Sequence, residues 1–326
     1  MGFNVQALNL RTLRGMPMAL ARLRKLINQI APDVIQGWMY HGNIFASLVN
    51  LMTLKSLPII WNIRQSLYDV NNEKKSTRAV IFILRLISKS VSYIIYNSNQ
   101  SRQHHEDFGF FGKKSLVISN GFDVRRWRPS RRQRKIFREE IGLPENHPVV
   151  GFIGRYHLQK DVPTFLRACA IAMNENPDLH VVMVGEGLTT ANPALGSLIA
   201  RLPSQRTYML GARTDIEAIF PSLDLFCLSS SSEAFPNVLG EAMACAVPCI
   251  VTNVGECPAM VVEGDYIVAV GDHATMAKKI NELANMGKED LRKIGDSLRL
   301  RIKKYYSINA TIEEYEKLYR TISVSY

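Results

Sequence analysis

The sequence predicts an α/β protein made of two domains, each with a parallel sheet covered by helices. Three observations support this prediction. The chain has 326 residues, which is long for one α/β domain and suits two of similar size. Short apolar runs typical of buried parallel strands recur in both halves, separated by segments of helical spacing. The composition, with 47% hydrophobic and 21% charged residues, is that of an ordinary globular protein.

The strands follow one another in a regular rhythm along the chain. The first half is predicted to hold four strands with helices between them, at 33–37, 58–63, 92–96 and 116–118. The second half is predicted to hold five more, at 149–154, 180–185, 207–210, 223–228 and 248–252. Helices of the second half are predicted at 162–173, 215–220, 237–245 and 308–322.

The boundary between the domains is predicted in a polar segment that contains three prolines. Residues 129–148, with Pro129, Pro144 and Pro148, are assigned as a linker. The first domain would then comprise residues 1–128 and the second residues 149–307.

No segment is predicted to span a membrane, because the most apolar stretch, residues 79–96, contains Arg85 and Lys89. No signal peptide pattern opens the sequence. The five cysteines form no C-x-x-C pair, which favours a reducing, cytoplasmic setting without structural zinc.

Positive charge is concentrated in the first half. Residues 1–145 carry 23 Lys and Arg against 9 Asp and Glu, whereas the remainder carries 17 against 20. A basic half attracts polyanions such as nucleic acid, anionic lipid or phosphorylated substrates. Nucleic acid is not an expected partner, because aromatic residues do not interleave with the cations and no recognition motif is present. A dinucleotide dehydrogenase is disfavoured as well, because no G-x-G-x-x-G follows a strand.

The richest candidate site lies in residues 229–244, where a strand end, a polar loop and a helix start follow one another. Pro236 fits the start of a helix. The first amides of that helix, at Asn237, Val238 and Leu239, would lack internal partners and suit a phosphate.

Two carboxylates accompany this helix start. Glu241, one turn into the helix, can accept hydrogen bonds from the vicinal hydroxyls of a ribose, and Glu233 can reach a sugar hydroxyl. The competing interpretation is that both acids only complement the helix dipole.

Other polar loops follow neighbouring strands. Gly154 and Arg155 end the strand 149–154, and Lys160 comes five residues later, so two cations and a close backbone approach suit a diphosphate. The competing interpretation is two solvated surface cations. Gly185 and Glu186 follow the next strand, and a loop ending at Arg213 follows the third, where a base could lie against backbone groups. Ligands of parallel sheets bind at these strand ends.

Together these motifs resemble the C-terminal domain of GT-B glycosyltransferases, specifically the large retaining family-four group. Glu233 and Glu241, with seven residues between them, match the E-x7-E signature of that group. In the first half, residues 39–43 after a strand and the Asn-Gly-x-Asp motif at 120–123 agree with the same group. The resemblance implies two Rossmann-like domains facing across a cleft, with the last segment, 308–326, crossing back to the first domain.

The resemblance implies a hexosyltransferase with a nucleotide-sugar donor, a UDP-sugar being favoured, and a glycan or lipid-linked acceptor. The implied pathway is cell-surface polysaccharide or glycolipid synthesis. Arg155 and Lys160 would hold the diphosphate and stabilise its growing charge. Glu241 would bind the ribose and Glu233 the transferred sugar, with retention of configuration. The other implied donor-binding residues are Gly154, Gly185, Glu186, Arg213, Pro236, Asn237, Val238 and Leu239. No metal or cofactor is implied, and the sequence contains no Asp-x-Asp.

Two features depart from the family pattern. The first β-α unit of the family is expected to be missing, and Arg64 stands where many members carry a His. His41 is the nearest alternative on the acceptor side, whereas His104 and His105 are expected to be exposed. These departures leave open a non-catalytic GT-B-like protein that binds a nucleotide sugar or glycan without turnover.

Residues 16–30 form a predicted amphipathic helix with Arg11, Arg14, Arg22 and Lys25 opposite its apolar face. One interpretation is a helix packed on the sheet with a solvated basic face. The other is that this face, together with the cations of residues 125–138, rests on anionic lipid as a peripheral contact at the inner face of the cytoplasmic membrane.

Overall fold

A computed structural model describes residues 5–8, 10, 15–53, 57–262 and 264–324. By its contacts the chain divides into two compact units, here called unit 1 (residues 1–118 with 313–326) and unit 2 (residues 119–312). Arg11 and Arg14, predicted on the basic face of the first helix, lie outside the described residues.

Unit 1 contains a parallel four-stranded sheet whose strands lie side by side in sequence order. Its strands are β1 (Ile35–Trp38), β2 (Ile59–Ile63), β3 (Tyr93–Tyr96) and β4 (Ser115–Val117). Its helices are α1 (Met16–Ile30), α2 (Met39–Asn50), α3 (Lys75–Ile87) and α4 (Asn99–Asp107). The four strands predicted for the first half are thus confirmed to within two residues at each end.

Both faces of this sheet are covered, because neighbouring residues of a strand point to opposite sides. Trp61 and Ile63 of β2 belong to one apolar cluster. Ile60 belongs to the other, together with Leu318 and Ile322 of the last helix, α13 (Ile308–Val324). Residues of α13 therefore complete the core of unit 1.

Unit 2 contains a parallel sheet of six strands in the order β10-β9-β8-β5-β6-β7. Its strands are β5 (Val149–Ile153), β6 (His180–Val184), β7 (Thr207–Met209), β8 (Leu225–Leu228), β9 (Cys249–Thr252) and β10 (Ile267–Val268). Its other helices are α5 (Arg131–Glu140), α6 (Val162–Glu175), α7 (Gly196–Ile199), α8 (Ile216–Ile219), α9 (Asn237–Ala244), α10 (Cys257–Val261), α11 (His273–Ala284) and α12 (Lys288–Tyr305). The five predicted strands are present, and the short edge strand β10 was not predicted.

The core of unit 2 also lies on both faces of its sheet. Val149 and Ile153 of β5 point into one cluster, and Val150 and Phe152 point into the other. Within the described part of the chain, no helix is long and apolar enough to cross a bilayer.

The segment 129–148, predicted as a linker, instead contains α5, which packs into unit 2. Arg138 of α5 is only 1% exposed. Its guanidinium donates to Asp224 Oδ2 at 2.7 Å, to the carbonyl of Ser222 at 2.8 Å and to that of Glu145 at 2.8 Å. The segment is therefore a helix of unit 2 that is anchored by the buried Arg138 and carries most of its other polar residues on its exposed side, and unit 2 begins at residue 119.

His105, predicted as exposed, is fully buried in unit 1. Its Nδ1 lies 2.7 Å from the carbonyl of Ser101, which can only accept, so this nitrogen carries the proton. Its Nε2 therefore accepts from the hydroxyl of Tyr40 at 2.8 Å. Burial lowers the pKa of His105 to about 4. The imidazole is consequently a neutral core group, a role that the polar sequence around it concealed.

Replacing Arg138 with Ala is expected to destabilise the protein strongly, because Asp224 would keep only its more exposed partner Arg134 and the carbonyls of Ser222 and Glu145 would lose a buried donor. Breaking such a pair costs about 3–5 kcal/mol. Lys135→Ala, on the exposed side of the same helix at 72% side-chain exposure, is the matched control and should change stability by no more than about 0.5 kcal/mol. Urea unfolding of the whole chain measures both, and equal effects would contradict this account of α5.

Candidate active site

The strand order of unit 2 creates a crevice at the carboxyl ends of β5 and β8. From β5 the chain adds β6 and β7 on one side and then returns to add β8, β9 and β10 on the other. β5 and β8 pair in parallel, with Gly151 opposite Phe226. In open parallel sheets, ligands bind outside the strand ends at the point where the order reverses in this way.

Two predicted catalytic residues meet at this point. Lys160 lies in the loop after β5 and Glu233 in the loop after β8, and Lys160 Nζ is 2.5 Å from Glu233 Oε1. The hydroxyl of Ser230 donates to the same oxygen at 2.7 Å. Both side chains are partly shielded, at 21% and 12% exposure, so this is a fixed ion pair and not a loose surface contact.

Hydrogen bonds hold the two loops together behind this pair. The Ser229 hydroxyl lies 3.0 Å from the carbonyls of Lys160 and Asp161. The amide of Ser231 donates to the carbonyl of Gln159 at 2.8 Å. From the neighbouring strand β9, the hydroxyl of Thr252 donates to the carbonyl of Ser230 at 2.5 Å. The position of Glu233 is therefore set by the backbone on both sides of it.

Gly255 also supports the Glu233 loop, and sequence reasoning missed it. It has φ +56°, and a Cβ atom there would lie 2.4 Å from the carbonyl oxygen of Glu233. Only glycine fits, because both the backbone conformation and the space exclude a side chain. The available signal was a glycine three residues after the end of a strand and three before Pro258, which marks a turn.

The predicted glycines of the first two loops come together through their backbones. Gly185 has φ +151°, and a Cβ atom there would lie 1.9 Å from the carbonyl oxygen of Gly154. The amide of Tyr156 donates to the carbonyl of Glu186 at 2.7 Å. The side chains of Arg155 and Glu186 are exposed beside this junction.

Helix α9 begins where the Glu233 loop ends. Pro236 precedes it, and the amides of Leu239 and Gly240 both donate to the Pro236 carbonyl, at 3.2 and 3.4 Å. Helix geometry leaves the amides of Asn237 and Val238 without a partner inside the helix. The side chain of Asn237 is fixed by Asn120, whose Nδ2 donates to its Oδ1 at 2.6 Å.

Glu241 lies one turn into α9 in a different environment from Glu233. It is mostly buried, and desolvation raises its pKa to about 7. Arg126 opposes this effect and Glu217 adds to it. Arg126 and Glu217 themselves form an ion pair of 3.3 Å, so the cation is shared with another carboxylate. At neutral pH Glu241 is therefore poised between its two protonation states.

Arg213, predicted to contact the donor, is engaged by carboxylates of unit 2. Its Nη2 donates to Asp215 at 2.7 Å and its Nη1 to Glu140 at 2.8 Å. Among the described residues, no group of three or more His, Cys, Asp or Glu could hold a metal ion.

The two acceptor-side candidates lie at the carboxyl edge of the sheet of unit 1. His41 is exposed in the first turn of α2. Arg64 follows β2, donates from Nε to Asn62 Oδ1 at 3.0 Å and from Nη2 to the Tyr315 hydroxyl at 2.5 Å. Its guanidinium lies 4.9 Å from the ring centre of Trp38. Arg64 is thus held by several side chains at the place where the resemblance led us to expect His.

Comparison with known proteins agrees with this architecture. Residues 133–301 match the family of glycosyl transferases group 1, and residues 4–126 match glycosyltransferase family 4. The chain therefore belongs to the group 1, family 4 glycosyltransferases and has the GT-B fold.

Particular relatives are similar over parts of their length. The N-acetyl-alpha-D-glucosaminyl L-malate synthase of Bacillus anthracis is 30% identical over 56% of this chain and 48% of its own. The capsular polysaccharide biosynthesis glycosyltransferase CapM of Staphylococcus aureus is 24% identical over 72% and 60%. HepE of Anabaena, solved in complex with UDP, has a TM-score of 0.83 at 20% identity, over 93% of this chain and 82% of that one. The chain spans only about half to three fifths of the length of these two curated relatives.

The raised pKa of Glu241 predicts a specific pH dependence of stability. Because the pKa is about 7 in the folded state against 4.5 for an ordinary Glu, the folded state holds the proton more tightly. This contribution is complete below pH 4.5 and is lost as the pH rises through 7. The loss is on the order of 3 kcal/mol.

Glu241→Gln should abolish this pH dependence and make the variant more stable than wild type at pH 8. Thermal unfolding of both proteins from pH 4.5 to pH 8 measures this. The difference in stability between variant and wild type isolates Glu241, because the other titratable groups contribute equally to both proteins. Parallel curves for the two proteins would show that Glu241 titrates normally.

Proposed function

We propose that this protein is a retaining, metal-independent glycosyltransferase of the hexosyltransferase type. It would move a sugar from a nucleotide sugar to a glycan or lipid-linked acceptor in cell-surface polysaccharide or glycolipid synthesis. The observation that carries the proposal is the contact between Lys160 and Glu233 at the strand-order reversal of unit 2.

The surroundings of this contact support a role in leaving-group stabilisation. When a nucleotide sugar reacts, negative charge grows on the diphosphate, and fixed positive groups aimed at it lower the barrier. Lys160 and Arg155 would supply cations, and the amides of Asn237 and Val238 would add donors at a positive helix end. Cationic and amide groups of this kind can replace a metal ion at a diphosphate.

Each carboxylate would then have a separate task. Glu233, fixed beside Lys160, would bind hydroxyls of the transferred sugar, and Glu241 would accept hydrogen bonds from the ribose. Attack by the acceptor on the face from which the nucleotide leaves would retain the anomeric configuration. Gly154, Gly185, Glu186, Arg213, Pro236 and Leu239 remain candidates for completing the donor site.

UDP is the favoured nucleotide. HepE, whose fold this chain shares, has been solved with UDP and with UDP-glucose. The name of CapM places that relative in capsular polysaccharide biosynthesis, which supports a cell-surface product. We place the reaction in the cytoplasm, at the inner face of the membrane, where lipid-linked acceptors are presented.

One observation favours a second candidate, a non-catalytic protein that binds a nucleotide sugar or glycan. Arg64 stands where the family resemblance implies a His, and it is held by Asn62 and Tyr315. His41 would then be the remaining acceptor-side candidate. Turnover separates the two candidates, because a binding protein neither transfers nor hydrolyses the donor.

Lys160→Ala is expected to lower kcat for donor hydrolysis or sugar transfer by about 100-fold or more, because it removes charge stabilisation from the transition state. Glu233→Gln should also lower kcat, whereas Lys278→Ala should not, since this lysine is 76% exposed on α11. The assay follows release of UDP from UDP-sugars, and NMR of the product reports its anomer. A wild-type protein that binds UDP-sugar without any release of UDP would support the non-catalytic candidate.

UDP affinity should rise with pH if the Glu241 carboxylate binds the ribose. The ionised form accepts both hydroxyl protons, so affinity should increase up to about tenfold from below to above the pKa of about 7. In Glu241→Gln only the titration of the phosphate itself should remain. Calorimetric titration of both proteins with UDP measures this, and identical pH profiles would remove Glu241 from the nucleotide site.

A further inference from the structure

Helix α3 exposes an apolar face to solvent. Phe82 is 43% exposed, Ile83 45% and Leu86 74%. Together with the exposed Ala79 they are spaced at i, i+3, i+4 and i+7, so they share one side of the helix. We call these four residues the α3 stripe. A contiguous exposed apolar surface of this kind marks a site that contacts a membrane or another protein.

The α3 stripe is not needed to attach the helix to unit 1. Ile81 and Leu84, on the opposite side of α3, are fully buried in the core of unit 1. The helix is therefore apolar on two sides, one packed and the other open to solvent.

All charged residues of α3 and of the segments that flank it in sequence are positive. The sequence contains no Asp or Glu between Glu73 and Glu106. Within this interval, α3 and the residues that flank it carry Lys74, Lys75, Arg78, Arg85 and Lys89. On a helix, residues seven apart share a side, so Arg78 and Arg85 follow one edge of the stripe.

The cations at the end of α3 are held beside aromatic rings. The guanidinium of Arg85 lies 5.9 Å from the ring centre of Phe82 and 5.5 Å from that of Phe108. Lys89 lies 6.0 Å from the ring centre of Phe111. Lys114 lies close to Lys89: its Nζ donates to the carbonyl of Lys89 at 3.2 Å and to that of Val91 at 2.8 Å. Positive charge is therefore fixed at the border of the apolar surface.

We infer that the α3 stripe and its cations dock unit 1 on an anionic lipid bilayer, with α3 lying in the plane of the interface. An apolar helix side bordered by Lys and Arg is the pattern of helices that insert partway into the head-group region. The apolar side chains would enter the acyl boundary, and the cations would meet anionic head groups. Because residues 74–105 contain cations and no acidic residue, they complement the uniformly negative surface of an anionic bilayer.

This inference moves the membrane contact from α1 to α3. The apolar side of α1 packs inward, with Ala19 and Ile27 buried. Its large exposed apolar residues are Met18 and Ile30, at opposite ends of the helix. The inference refines the membrane location proposed above, but it does not require transferase activity and is tested without donor or acceptor.

The test is co-sedimentation of the full chain with vesicles of phosphatidylglycerol mixed equally with phosphatidylcholine, and with phosphatidylcholine alone. Wild type should bind the mixed vesicles at least about tenfold more tightly, and high salt should weaken this binding. F82S/I83S/L86S should lower binding at least tenfold, and so should K75E/R78E, since each cation contributes roughly fivefold. The matched controls on α1, M18S/I30S and R22E/K25E, should bind nearly as wild type does.

Circular dichroism and thermal unfolding of every variant report whether it is folded, so a folding defect is separated from a docking defect. Binding by F82S/I83S/L86S equal to wild type would overturn the inference, as would a loss confined to the α1 variants. Failure of wild type to bind vesicles, with size-exclusion chromatography showing a dimer that the triple variant abolishes, would assign the stripe to a protein interface instead.

Discussion

The site depends on one topological constraint, the return of the chain across the sheet of unit 2. After β6 and β7 have been added on one side of β5, the chain returns and β8 pairs with β5 on its other side. The loops after β5 and β8 therefore emerge next to each other with no strand between them. Lys160 and Glu233 meet because these two loops carry them. Ser229, Ser231 and Gly255 then fix the loops at that distance.

The two carboxylates of the E-x7-E motif differ in their physical state. Glu233 is paired with a lysine and accepts from a serine hydroxyl, so its charge is compensated locally. Glu241 is mostly buried, and Arg126, which favours its charged form, is already paired with Glu217, so the ionised form is disfavoured. In the proposed reaction, a diphosphate at Lys160 would share this cation with the Glu233 carboxylate.

The sequence predicted the strands well, because a strand buried on both faces must be apolar throughout, and this pattern is local. It also predicted the loops that bring Lys160 and Glu233 together, because those loops follow the strands β5 and β8. It could not predict which partner a polar side chain would find far along the chain. Arg138 and His105 were assigned to the surface because their sequence neighbours are polar. In the structure both are buried, and each has a hydrogen-bond partner there: Asp224 for Arg138 and Tyr40 for His105. Gly255 escaped notice for the same reason, since the carbonyl that excludes its side chain belongs to Glu233.

The burial of Arg138 has a practical consequence for dividing the protein. Its guanidinium and that of Arg134 hold Asp224, whose other bond is to the amide of Val149 at the start of β5. A truncated polypeptide cut at the proline-rich region, just before β5, would leave this aspartate as an isolated anion against the first strand. An expression clone meant to yield the second half alone should start no later than Ser119.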